Sequence, residues 1–258
     1  MAESDSTSDI VTAALLIIGE EILSGRTQDA NTAFIARLLD EAGIALREVR
    51  VVPDIEEEIV EAVNALRRRF RYVLTTGGIG PTHDDVTTDA IGQAFDVPVA
   101  EDPRAVRVLE ERYPGEPLGP GRLRMARLPQ GAELVANPVS GAPGYMIGNV
   151  VVMAGIPRIM QAMMEDVLPR LEKGRPVASR SVRVDAPEGH VAGGLAALQQ
   201  KHPRVQIGSY PFFEERRVGT YVVLRSADKP LIEEAVEELR IFLQCEGMAY
   251  ADGEKETS

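Results

Sequence analysis

Hydrophobic residues recur along this chain with two periods, and the two alternate. Val11 to Ile18 is an apolar run closed by Gly19, as expected of a strand buried on both faces. From Asp29 to Ala42, the residues Phe34, Leu38, Leu39 and Ala42 fall on one helical face, and Gly43 stops that helix. Arg47 to Val52 reads as a second strand. Pro53-Asp54 then leads into a helix with Ile55, Ile59, Val63, Leu66 and Phe70 inward. Its acidic start (Asp54, Glu56, Glu57, Glu58) and basic end (Arg67, Arg68, Arg69) match the helix dipole and read as a solvated face. Tyr72 to Thr76 is a third strand. Three strand–helix units in a row predict an α/β fold, a mostly parallel sheet with right-handed crossovers and helices on both faces. Ligands of such sheets bind beyond the carboxyl ends of the strands.

The pattern continues less regularly. Asp102-Pro103 is an N-cap and first-turn pair for a helix ending near Tyr113. Pro114 to Gly121 reads as an exposed loop, and Asn137 to Gly144 as an irregular stretch too small and flexible to pack a core. Gly148-Asn149, flanked by apolar triplets, is a two-residue hairpin signal. Gly155-Ile156-Pro157 opens a helix whose inward face is Ile159, Met160, Met163, Met164, Val167 and Leu171; methionines at helical spacing read as core filler. Lys173 to Pro176 is a polar break. Beyond it, strand (181–184), helix (191–201), two strands (205–210, 219–225) and helix (230–244) predict a small α+β domain, an open sheet with helices on one face. The expected organisation is a disordered lead at 1–10, the α/β domain at 11–173, the α+β domain at 177–250 and a polar tail at 251–258.

The chemistry concentrates in one stretch. Val73 to Asp89 begins as a strand, breaks at Gly77-Gly78-Ile79-Gly80-Pro81, and ends in Asp84, Asp85 and Asp89 before an apolar Ile91/Phe95 pair. Strand, glycine turn and helix start together point backbone N–H groups at an anion. Three carboxylates would repel that anion unless a divalent cation lay between them. Glu20 and Glu21, and Asp54, stand just past the ends of the other two strands, so three acidic turns should share one rim. Gly155 with Pro157 marks a second helix N-terminus, either a secondary anion candidate or a simple first-turn proline. His83 is either a ligand or acid/base group, or a loop histidine bonded to a carbonyl. Asp54 has an ordinary helix N-cap explanation beside a catalytic one.

Composition narrows the function. A net charge of −12 argues against nucleic acid or anionic membrane as partner. No apolar run approaches the length of a membrane span, and the start lacks a signal-peptide pattern. The single cysteine, Cys245, excludes an intrachain disulfide, fits a reducing cytoplasm, and reads as a packing residue of the last helix. With three histidines, a dedicated zinc site is not expected.

The glycine loop lacks the Lys-Ser/Thr of a Walker A sequence and the spacing of a dinucleotide fingerprint. It resembles the molybdopterin-binding family instead, through Thr76-Gly-Gly-Ile-Gly-Pro81 followed by Asp85-Val-Thr-Thr-Asp89. Gly19-Glu-Glu-Ile-Leu-Ser-Gly25 and Gly80-Pro-Thr-His-Asp-Asp85 are similar to the branch containing competence/damage-inducible protein A. The wording of the loop also resembles the corresponding domain at the N-terminus of animal FAD synthases, and Ile207 to Pro211 is similar to the segment after it. The resemblance spans roughly residues 12 to 172 and implies a three-layer α/β/α domain. It implies catalytic aspartates at Asp54 and Asp85; from the acidic turns themselves, Asp84 is a further catalytic candidate and Glu20, Glu21, Asp85 and Asp89 are the candidate metal ligands. Phosphate contacts would come from Thr76, Gly77, Gly78, Gly80 and Gly155. The implied cofactor is Mg2+ or Co2+, with K+ in some relatives. The implied ligand is a small nucleotide or pterin. The implied reaction is hydrolysis of the pyrophosphate of ADP-ribose or FAD; molybdopterin binding or adenylyl transfer, and noncatalytic nucleotide binding, are the alternatives. Relatives form dimers or trimers, so a homo-oligomer is implied. Two departures stand out: Glu20 replaces the usual Asp, and Arg158-Ile159 replaces a segment that usually carries a carboxylate.

Overall fold

The computed structural model describes residues 10–214 and 217–253, so nearly all of the expected lead and residues 254–258 of the expected tail lie outside it. The chain separates into two units, Met1–Arg175 and Pro176–Ser258. In the first, strands and helices alternate: β1 (Thr12–Ile18), α1 (Glu20–Leu23), α2 (Asn31–Glu41), β2 (Ala45–Val52), α3 (Glu56–Arg67), β3 (Tyr72–Thr76), α4 (Thr87–Phe95) and β4 (Val99–Glu101). They are followed by α5 (Pro103–Arg112), α6 (Pro120–Arg124), β5 (Arg127–Pro129), β6 (Glu133–Val135), β7 (Gly144–Ile147), β8 (Val150–Met153) and α7 (Pro157–Val167).

Six of these strands form one sheet in the order β2-β1-β3-β8-β7-β6. The first four run parallel, and the hairpin β7–β8 and the pair β6–β7 add an antiparallel margin. Residues Ala13 to Ile18 are all buried because β1 is covered on both sides, which is why its apolar run is unbroken. On one face Leu16, Ile18, Val73 and Val152 pack with Ile59, Val63 and Leu66 of α3 and Ile91 of α4. On the other, Leu15, Ile17, Leu74 and Met153 pack with Ile35 and Leu39 of α2 and with Met160 and Met163 of α7. The result is a three-layer α/β/α unit in which the methionine stripe is core.

Several local expectations need correction. Gly19–Gly25 is not a plain loop, since Glu20–Leu23 closes one helical turn. The Pro/Gly stretch after α5 ends in α6. The Asn137–Gly144 segment is organised by the buried Asn137, whose Oδ1 accepts from the N–H groups of Val139 and Ser140 while Nδ2 donates to the Ala142 carbonyl. Strands β4, β5 and β6, each three residues long, carried no readable period.

The second unit contains β9 (Ala178–Val184), α8 (Glu188–Lys201), β10 (Gln206–Glu214), β11 (Arg217–Ser226), α9 (Lys229–Cys245) and β12 (Tyr250–Asp252). Its sheet is antiparallel, ordered β10-β11-β9-β12. Val182, Val184, Val222 and Leu224 meet Val191, Leu195, Ile232 and Leu239 from the two helices. Tyr250–Asp252 pairs with β9, so the start of the expected tail is a strand. Cys245, at the end of α9, is exposed and not a packing residue. No helix among the described residues is long and apolar enough to cross a membrane.

Leu74 sits at full burial in the sheet between the helix layers. Leu74→Ala is expected to cost the first unit about 2–5 kcal/mol, read by urea unfolding; a loss under about 1 kcal/mol would exclude Leu74 from the core.

Candidate functional site

The sheet topology makes a crevice. After β1 the chain continues to α2 on one face, and after the neighbouring β3 it continues to α4 on the other. Adjacent parallel strands whose connections leave in opposite directions open a gap at their carboxyl ends, where ligands of such folds bind. Gly77 sets the width of this gap. Its φ is +107°, and a Cβ there would stand 2.0 Å from the Ile18 carbonyl oxygen. The Gly77 N–H donates to the Met153 carbonyl at 3.1 Å, fastening the loop to β8. Gly78, at φ +65°, leaves room for the buried Thr87, whose hydroxyl would be 2.1 Å from a Cβ. Thr87 donates from its hydroxyl to the Gly77 carbonyl (3.0 Å) and from its N–H to the Gly78 carbonyl (3.1 Å). The start of α4 and the glycine loop are therefore one rigid piece.

Asp54 reaches this piece from the end of β2. Its Oδ2 accepts the Glu20 N–H at 2.9 Å, and its Oδ1 is 3.5 Å from where a Cβ on Gly78 would be. It caps the turn after β1 and not its own helix, since α3 has Ile55 at its N-cap position with no side-chain bond. One carboxylate thus ties two rim turns together and faces the third. Asp85 is folded inward across Gly80, where a Cβ would lie 2.7 Å from Oδ2. That oxygen accepts from the Thr82 N–H (2.8 Å) and hydroxyl (2.5 Å). Asp84 is exposed; the Thr82 hydroxyl, its own backbone N–H and the nearby His83 and Arg124 hold its carboxyl below the usual range. His83 is 99% exposed and lies 4.0 Å from Asp84.

The expected metal shell of Glu20, Glu21, Asp85 and Asp89 is not gathered. Both oxygens of Asp89 are held by Arg127, at 2.6 and 3.0 Å, an ion pair between residues 38 apart. Glu20 and Glu21 are exposed, and the Glu21 carboxylate lies over Gly19. Among the described residues, no three His, Cys, Asp or Glu side chains converge as a metal cage. Asp54 Oδ1 and Asp85 Oδ1, however, accept no hydrogen bond from the described residues. Hard oxygen donors of this kind fit a magnesium-type ion held by one or two carboxylates together with phosphate oxygens.

Two further residues belong to the rim. Arg124, at the end of α6, donates from Nη2 to the Asp85 carbonyl at 2.9 Å, while its buried Nε has no partner among the described residues. No local signal marked it, because α6 meets the loop, 39 residues earlier in the chain, only on folding, with Gly121 set against Pro81. Asn31, at the start of α2, donates from Nδ2 to the Gly155 carbonyl at 2.8 Å. Gly155 in turn packs on Gly77, its Cβ position 3.3 Å from the Gly77 Cα. The Asp29-x-Asn31 pattern was its one trace, since Asp29 accepts the N–H groups of Asn31 and Thr32. Thr76, the last residue of β3, is buried with its hydroxyl unpartnered among the described residues.

Gly77→Ala is expected to destabilise the first unit by about 3 kcal/mol or more through backbone strain and overlap, read as a drop in thermal midpoint. Asp89→Asn should cost about 1–2 kcal/mol by leaving Arg127 without its partner and leave the calorimetric affinity for Mg2+ unchanged. Loss of that affinity would return Asp89 to the metal site.

A family model described as "Probable molybdopterin binding domain" matches residues 14–173, and one described as FAD synthase, middle domain, matches residues 176–252. A protein of Pyrobaculum calidifontis is 37% identical over 211 residues, which cover 78% of this chain and 80% of that one. A CinA-like protein of Myxococcus xanthus is 33% identical over 209 residues, 75% of this chain and 50% of its own length. The crystal structure of the protein CinA from Thermoplasma acidophilum is similar, with a TM-score of 0.60 at 32% identity, over 63% of this chain and 99% of that one. The chain therefore belongs to the molybdopterin-binding-domain family, in a CinA-like form whose second unit matches the FAD synthase middle domain.

Proposed function

We propose that this protein hydrolyses the pyrophosphate of an AMP-containing dinucleotide, ADP-ribose or FAD, with a divalent metal. The observation that supports this reading is the position of Asp54, which joins the turn after β1 to the turn after β2 and faces Gly78 of the loop after β3. A pyrophosphate beside Gly77 to Gly80 would meet the loop backbone at the mouth of α4, with the Asp85 carboxylate next to Gly80. Thr87 keeps that backbone fixed, and Thr82 holds Asp85 beside it. Arg124 brings a cation to the same loop. Magnesium or cobalt held by Asp54, Asp85 and the phosphates would supply neutralisation of phosphate charge and a bound water of lowered pKa. Asp84 stays ionised at the solvent edge, where it can orient water but has no proton to give near neutral pH.

Molybdopterin binding or adenylyl transfer is the second reading. It is favoured by the family match over residues 14–173, and both reactions would place an AMP phosphorus on the same loop.

The expected outcome is AMP release from ADP-ribose or FAD in the presence of Mg2+ or Co2+, measured by chromatography. Asp54→Asn and Asp85→Asn should each lower the rate about 100-fold or more with an unchanged circular dichroism spectrum. No AMP from either compound, with adenylylation of molybdopterin by ATP, would transfer the conclusion to the second reading.

A further inference from the structure

The crevice has a second half beside the one assigned to phosphate. On the side of α2 and α7, three buried polar atoms have no hydrogen-bond partner among the described residues: Asn31 Oδ1, Thr32 Oγ1 and Thr76 Oγ1. Asn31 is 5% exposed and Thr76 1%. Folded proteins pair nearly all such atoms, because an unpaired one forfeits its hydration without return.

Topology brings the three together. Thr76 lies in register with Ile17 and Met153, whose side chains face α2 and α7, so its hydroxyl faces the same way. Asn31 opens α2 at the same rim, and its Nδ2 is bonded to Gly155, which rests on Gly77, the residue after Thr76. Thr32 adjoins Asn31. The group is therefore contiguous with the glycine loop, yet it differs in charge from the side of Asp54, Asp85 and Arg124. None of its three side chains is ionisable. Asp29 already occupies the N–H groups of Asn31 and Thr32, so a second anion would meet a carboxylate there. Asn31 spends one of its two N–H groups on Gly155, and its unpaired buried atom is the acceptor Oδ1, which an N–H or O–H of a ligand would satisfy.

We infer that Asn31, Thr32 and Thr76 form a subsite for the neutral, donor-bearing part of the ligand, a sugar hydroxyl or a ring amino group joined to the phosphate. The inference rests on the phosphate reading of the glycine loop. The subsite would select nucleotides over bare pyrophosphate.

Calorimetry on the full chain in Mg2+ tests it, with inorganic pyrophosphate, AMP, 2′-deoxy-AMP and IMP as probes. Asn31→Ala should weaken AMP binding about ten-fold and leave pyrophosphate binding unchanged, and Thr76→Val should weaken AMP binding about ten-fold. Lost preference for AMP over 2′-deoxy-AMP in the variants identifies the sugar hydroxyl, and lost preference over IMP the ring amine. Thr76→Val keeps the shape of β3 and serves if Asn31→Ala does not fold. It should also raise the thermal midpoint of the ligand-free protein, because it removes an unpaired buried hydroxyl. AMP affinity unchanged in both variants, equal losses for AMP and pyrophosphate in Asn31→Ala, or a lowered midpoint in Thr76→Val would overturn the subsite. Wild-type protein that binds neither AMP nor pyrophosphate would overturn the phosphate reading and the subsite with it.

Discussion

The first unit depends on one close approach, that of Gly77 to the carbonyl oxygen of Ile18 at the ends of β3 and β1. A side chain at Gly77 would collide with backbone, so two neighbouring strands can end at the same height only with glycine there. Everything placed at the rim follows from that contact. Thr87 locks α4 onto the loop, Asp54 bridges the other two turns, and Gly155 closes the fourth side with Asn31 attached. The site is backbone first, and its side chains are arranged around a shape that a single methyl group would destroy.

Charge sets the second constraint. A strongly acidic chain could hold an anion only by gathering its positive features locally. Here they are the helix start, the loop N–H groups and Arg124, set against Asp54, Asp84 and Asp85. Asp89 leaves that balance, because Arg127 takes both of its oxygens. The rim is therefore less acidic than a count of its carboxylates implies, and it suits a phosphate–metal pair better than a metal alone.

The fold was largely legible from the chain. β1 is an unbroken apolar run and α3 and α7 are strongly periodic, so burial on two faces or one is written directly into where their apolar residues fall. Strands of three residues, such as β5 and β12, are too short to express a period and exist because a neighbour supplies their partner. Cys245 looked like a core residue because it lies on the apolar side of its helix, but it is the last residue of α9 and is exposed, two residues beyond the buried Leu243.

By itself the sequence determined the order of elements, the glycine loop and the rim on which Glu20, Asp54 and Asp85 would meet, because strand ends and turns are local properties of the chain. Only the tertiary structure decided which carboxylates face the crevice. Asp54 was paired with an N–H 34 residues earlier, Asp89 with an arginine 38 residues later, and Asn31 with a carbonyl 124 residues away. Such partners are chosen by the packing of helices on a sheet, and no local pattern records them.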